Sequence, residues 1–226
     1  MTSTVSVDGQ KVTVDNGKRE NAKGWFLYST KDPSDATKAL TGEPVTYSGL
    51  DEAIRNVEEQ LEQVLCGDNG EKGGSLEGTE SDPFVAMFGF SQGAVFCHLL
   101  AALDQTKHPL FARIRATILA SGFPATHVPT NNSPYTFTST FLQTKEEDEE
   151  QQSQTDLNDQ QHLLPLPSLH VIGRKDTSVT PEKSTALAAR FVNSEILWHD
   201  KGHMIPQQTA NTAKMVAFLD GVGGSR

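Results

Sequence analysis

The chain reads as an α/β protein: a parallel sheet with helices on both faces. Two observations predict this. Short, continuous apolar runs bounded by Gly or Pro alternate with helix-patterned segments from residue 50 onward, the pattern of parallel strands joined by helical crossovers. These runs lack polar alternation, as expected of strands buried on both faces.

The elements follow in order. Residues 4–14, TVSVDGQKVTV, alternate around Asp8-Gly9, a turn suited to positive φ, and predict a hairpin. Residues 50–65 place Ile54, Val57, Leu61 and Val64 on one helical face. Residues 84–88 predict a buried strand between Pro83 and Gly89, and residues 93–103 a helix apolar nearly all round. Residues 114–121 and 168–172 predict two more buried strands. Thr180-Pro181-Glu182 predicts a helix start, with Thr as cap, Pro in the first turn and an early acid. A short strand at 195–198 and a closing helix at 207–220 complete the series. Residues 67–82 and 126–139, rich in Gly or in Pro, Thr, Asn and Ser, read as connections.

Composition narrows the function. The 226 residues carry a net charge of −10, which argues against nucleic-acid binding, since phosphate contacts need clustered Lys and Arg. No apolar run reaches the roughly 20 residues of a membrane helix, and the first twenty residues lack a secretory pattern. Two cysteines, Cys66 and Cys97, are too few for a disulfide framework or a four-ligand zinc site. No metal or nucleotide motif occurs, so no cofactor is expected. The expectation is a soluble, cytoplasmic protein, with the nucleus as a second compartment. The acidity is local. Residues 145–161 hold one lysine and seven acids, residues 51–62 five acids and Arg55, and the rest is neutral. With Leu157 its one apolar residue, the 145–161 segment predicts a disordered acidic insert.

Chemistry concentrates in three loops. Gly89-Phe90-Ser91-Gln92-Gly93 fits the G-x-S-x-G nucleophile elbow, with an apolar strand before it and an apolar helix after it. Side chains at Gly89 or Gly93 would collide with the flanking strand and helix. Ser91 would stand above the sheet, with the Gln92 N–H facing a developing oxyanion. A serine hydroxyl needs a base, and the base an orienting acid. Asp176 follows the strand at 168–172, and His203 follows the strand at 195–198, giving the chain order Ser91, Asp176, His203 of elbow hydrolases. His199 is the rival base, but Gly202 gives the backbone freedom to project His203 inward. Cys97 and His98, His108, His127, His162 and His170 read as structural. Phe123, Phe137 and Phe141 are equally suited to lining an acyl pocket or to the core.

SDPFVAMFGFSQGA, RATILASGF, LPLPSLHVIGRKDTSVTP and WHDKGHMIP together resemble the FSH family of serine hydrolases. Gly24-Trp25-Phe26 resembles that family's Trp-containing segment. The resemblance covers roughly residues 24–220 and implies an α/β-hydrolase fold. It also implies hydrolysis of a small-molecule carboxylic ester or thioester, of acyl type, through an acyl-enzyme. Two domain-level segments follow: an atypical 1–23 and a hydrolase domain, 24–226, carrying the insert. The chain departs from the family in the His motif, where Lys201 stands for a usual Gly and one extra residue precedes Pro206. It departs again at the front. Family members begin with a strand ending in Leu-His-Gly, whose following loop gives the second oxyanion N–H. Nothing like it precedes Gly24, so the sheet is expected to be incomplete at that side, with residues 12–14 partly covering the place. The expected site has all three side chains and one oxyanion donor. The alternative function is a catalytically impaired homologue that binds a small ligand or a partner.

Overall fold

The computed structural model describes residues 2–7, 10–15, 24–28, 45–66, 85–127, 132–138 and 163–223. The connections at 67–82 and the acidic insert at 145–161 lie outside the described residues, as do Phe141, His162 and residues 128–131 of the third soft stretch.

At the front, β1 (Thr2–Val7) and β2 (Gln10–Asp15) form the expected antiparallel hairpin, with Val7 opposite Gln10. It pairs with no other described strand. Residues 12–14 therefore do not pair with the main sheet among the described residues. β3 (Leu27–Tyr28) and β4 (Tyr47–Ser48) form a second short antiparallel pair. Helix α1 (Leu50–Cys66) buries Leu50, Ala53, Ile54 and Leu61, while Val64 is 59% exposed rather than on the packed face.

The main sheet has four parallel strands in the order β5 (Val85–Phe90), β6 (Ile114–Ala120), β7 (Ser168–Gly173), β8 (Ser194–His199). Helices α2 (Gln92–Ala101), α3 (Pro181–Ala188) and α4 (Thr209–Gly223) connect or close them. Two cores result. On one face Phe96, Leu99, Phe111, Leu119 and Leu187 pack with Phe26, Tyr47 and Ile54. On the other, Ile118, Val171 and Leu197 pack under Met215 and Phe218 of α4. The sequence expectation of an α/β sheet covered on both faces is met for β6 and β7.

Two details differ. β5 is an edge strand among the described residues and leaves Phe88 50% exposed; it is not the fully buried strand its composition suggests. Thr180 makes no side-chain cap to α3.

The histidines away from the loops serve as hydrogen-bond acceptors or core contacts. His98 Nδ1 accepts from the Ala125 N–H at 3.0 Å, and His108 Nε2 accepts from the Thr136 N–H at 3.1 Å. His127 Nδ1 accepts from the Tyr47 N–H at 3.1 Å, fixing β4 to the loop after β6. His170 Nε2 meets Ser168 Oγ at 3.0 Å. Burial lowers the pKa of His98 to about 3, and those of His127 and His170 to about 4. An accepting ring nitrogen requires the neutral form, so the geometry and the shifts agree.

Candidate active site

β5 delivers Ser91 at its C-terminal end, and α2 begins at the next residue. Ser91 adopts φ 54, ψ −119, a conformation costly for a residue with a Cβ. Three hydrogen bonds hold it. Its N–H donates to Ala120 O on β6 at 2.9 Å, and its carbonyl accepts from the Ala94 and Val95 N–H groups at 3.0 and 3.2 Å. The strain is thus fixed between strand ladder and helix.

Gly89 is needed as expected: a Cβ there would lie 2.6 Å from Ala94 N and Cα. Gly93 is not needed for the same reason. Its Cβ would meet only the Trp25 indole Nε1, at 3.4 Å, an ordinary contact. It faces the 24–26 segment rather than the sheet.

The Gln92 side chain has a role that sequence reasoning missed. Its Oε1 accepts from the Trp25 N–H at 3.3 Å, and its Nε2 donates to Phe26 O at 2.9 Å. One amide therefore clips a segment 66 residues away beside the elbow. Trp25 stacks on Phe96 at 4.8 Å, and Phe26 stacks on Tyr47 at 4.5 Å. No local signal marks this pairing beyond the presence of Trp25 itself. The clip also occupies the Trp25 N–H.

The other two loops meet over the strand ends. After β7, the Arg174 N–H donates to His199 O at 2.8 Å, and the Lys175 N–H to Lys201 O at 3.2 Å. These bonds zip the Asp176 loop to the His203 loop. Gly173 lies beneath the zip, where a Cβ would be 2.6 Å from Gly202 O. Gly202 lies close as well, its Cβ position 3.2 Å from Lys175 O.

The three side chains picked out in the sequence stand in one hydrogen-bonded row. His203 Nδ1 is 2.8 Å from Asp176 Oδ2, and His203 Nε2 is 3.1 Å from Ser91 Oγ. Asp176 is 4% exposed, and its Oδ1 accepts from the Ser178 and Val179 N–H groups at 3.0 and 2.9 Å. Burial pushes its carboxyl up. The Val179 N–H, His203 and the nearby Ser121 hydroxyl outweigh that and hold it below the ordinary carboxylate value. Ser121 Oγ itself lies outside hydrogen-bonding geometry. An ionised carboxylate only accepts. His203 Nδ1 must therefore carry the proton, which leaves Nε2 free to accept from the Ser91 hydroxyl. Phe90 covers one face of the imidazole at 4.8 Å.

His199, the rival base, is 5% exposed, and its Nδ1 accepts from the Lys201 N–H at 3.3 Å. It supports the loop and does not reach Ser91 by any hydrogen bond among the described residues. Phe123 and Phe137 are core residues, each 4% exposed. Cys97 is buried, and its thiol pKa is pushed up to about 12 by burial. Among the described residues no cluster of His, Cys, Asp or Glu could hold a metal ion, and no helix is long and apolar enough to cross a membrane.

Comparison with known proteins adds the relationship. The profile of a family described as "Serine hydrolase (FSH1)" matches residues 2–215. The chain is 28% identical over 201 residues to the human protein "Esterase OVCA2", covering 89% of this chain and 69% of that one. The mouse counterpart is also 28% identical over 201 residues, covering 68% of its length. Among solved structures, a fungal esterase from Rhizomucor miehei is 15% identical with a TM-score of 0.46, covering 99% of this chain and 83% of that one.

Proposed function

The chain belongs to the FSH1 serine hydrolase family, and from that premise we propose that it hydrolyses small acyl esters or thioesters with Ser91 as nucleophile, His203 as base and Asp176 as the orienting acid. The observation that carries this reading is the Ser91–His203–Asp176 row, with both contacts within hydrogen-bond reach.

The steps follow from the row. Ser91 Oγ attacks the acyl carbonyl while His203 Nε2 takes its proton. The imidazolium is stabilised by the Asp176 carboxylate on Nδ1. The carbonyl oxygen gains the charge and is met by the Gln92 N–H at the head of α2. The tetrahedral adduct collapses, breaking the bond to the leaving oxygen or sulfur, which receives the proton from Nε2. Water then attacks the acyl-enzyme, giving its proton to Nε2. Collapse releases the carboxylic acid and returns the proton to Ser91.

The test is labelling with a fluorophosphonate together with turnover of p-nitrophenyl acyl esters. Labelling that disappears in Ser91→Ala, with turnover lost alongside it, supports the reading. Folded wild-type protein that neither labels nor turns over would sink it. A second reading is ligand binding without turnover, favoured by the front of the sheet: β5 has no strand on its second edge among the described residues. It predicts acyl-ligand binding that persists in Ser91→Ala, with no hydrolysis by wild type.

A further inference from the structure

At the edge of the sheet opposite β5, a groove of about 1090 Å³ runs along β8. Its lining spans the whole strand, from Arg115, Pro167 and Asn193 at the strand beginnings to Arg174 just past the end of β7. α4 forms one wall through Lys214, Phe218 and Val222. The outer edge of β8 pairs with no strand among the described residues, and Ile196 and Trp198 are 40% and 36% exposed.

The charge of this groove runs against that of the chain. Arg115, Arg174 and Lys214 face it with one acid, Glu195, on a protein of net charge −10. Arg115 and Lys214 have no ion-pair partner among the described residues. Arg174 lies over the Trp198 ring at 4.8 Å and makes a 3.5 Å contact with Asp200, both side chains largely exposed. Such an exposed pair is weak and exchangeable.

We propose that this groove docks an extended acidic segment of a partner protein, which adds as a strand to β8 and sets its carboxylates against Arg115, Arg174 and Lys214. An unpaired edge offers a row of backbone donors and acceptors that a strand satisfies directly. Six residues of strand span about 20 Å, the length of β8. The cations at both ends and on α4 then select acidic side chains, while Phe218 and Leu197 offer apolar contact between them. β8 is three strands from β5, about 14 Å across the sheet, so the segment does not occupy the serine site.

The test uses fluorescein-labelled (Val-Glu)₄, with (Val-Lys)₄ and a backbone N-methylated (Val-Glu)₄ as comparisons, read by anisotropy at several salt concentrations. (Val-Glu)₄ is expected to bind saturably and more weakly at high salt. Affinity should fall roughly tenfold or more in Arg115→Glu/Lys214→Glu, whose fold is checked by circular dichroism melting, and by a similar factor for the N-methylated peptide. Equal binding of (Val-Lys)₄, indifference to the double substitution, or indifference to N-methylation overturns the proposal. If the double variant does not fold, Lys214→Gln alone, with a smaller expected loss, takes its place. Deleting residues 145–161 should leave the affinity unchanged. A gain on deletion would make the chain's own acidic segment the occupant and overturn the partner as its source.

Discussion

Gly173→Ala tests whether the close crossing of two loops sets the geometry of the site. A methyl group at residue 173 would stand 2.6 Å from Gly202 O, 2.7 Å from Lys201 O and 3.0 Å from His199 Cε1. Two of these three are backbone oxygens, which cannot swing aside as a flexible side chain can. Reaching an ordinary contact requires the loops to part by about 0.8 Å. The bonds that would stretch are Arg174 N–H to His199 O and Lys175 N–H to Lys201 O, and these hold Asp176 to His203. Displacing a catalytic group by 1 Å costs about 100-fold in rate, and overpacking costs about 1–3 kcal/mol of stability. At this chain length that is a loss of about 2–12 °C in Tm. The assay is kcat and KM for a short p-nitrophenyl ester beside a thermal melt. kcat should fall while KM changes little, because orientation rather than binding is disturbed. Gly202→Ala, where a Cβ meets Lys175 O at 3.2 Å, should do the same more mildly. If Gly173→Ala keeps wild-type kcat and Tm, the crossing does not position the row and this reasoning fails.

Asp176→Asn should leave the protein folded and lower kcat by about 10⁴, because His203 loses the acceptor that fixes its tautomer; a loss below tenfold would remove Asp176 from the mechanism. Gln92→Ala should release the 24–26 segment, and faster hydrogen exchange at the Trp25 amide is the readout. Cys97 should resist iodoacetamide in the native state at pH 8, by peptide mapping, and react once the chain unfolds. Stability should fall as pH drops from about 6.5 toward 4, because unfolding frees His98, His127 and His170 to bind protons that the fold refuses. With all three contributing, the slope approaches 4 kcal/mol per pH unit. A stability flat across that window, by denaturant titration, would contradict the neutral state given to these rings.

The parts legible in the sequence are those whose causes are local. β6 and β7 announce themselves because a strand buried on both faces is apolar at every position, as ILA and VIG show. The elbow is visible because strand, serine and helix follow within a few residues. Asp176 and His203 are visible because each sits just past a strand end, where a parallel sheet gathers its loops. What was not legible depends on neighbours distant in sequence. Val85–Phe90 has the composition of a central strand, and composition cannot show that its second edge lacks a partner among the described residues. Val64 keeps helical register with Leu61 yet stays 59% exposed among the described residues. Gly93 looked like a packing glycine because motif glycines usually are, but its actual neighbour, Trp25, lies 68 residues earlier.

The same distinction separates the two roles of Gln92. Its main-chain N–H at the head of α2 follows from the elbow alone and was expected. Its side chain ties down the Trp25 backbone through that residue's N–H. Both roles belong to one residue, so they can be separated experimentally. Gln92→Glu keeps the main-chain donor and an acceptor for Trp25 but loses the donor to Phe26 O. If the 24–26 segment only braces the elbow, this variant loses stability, by about 1 kcal/mol for one hydrogen bond, and keeps its kcat. Gln92→Ala, which removes both hydrogen bonds to the 24–26 segment, should lose more stability and likewise keep its kcat. A loss of kcat in both variants would assign the clip to holding Ser91 in place.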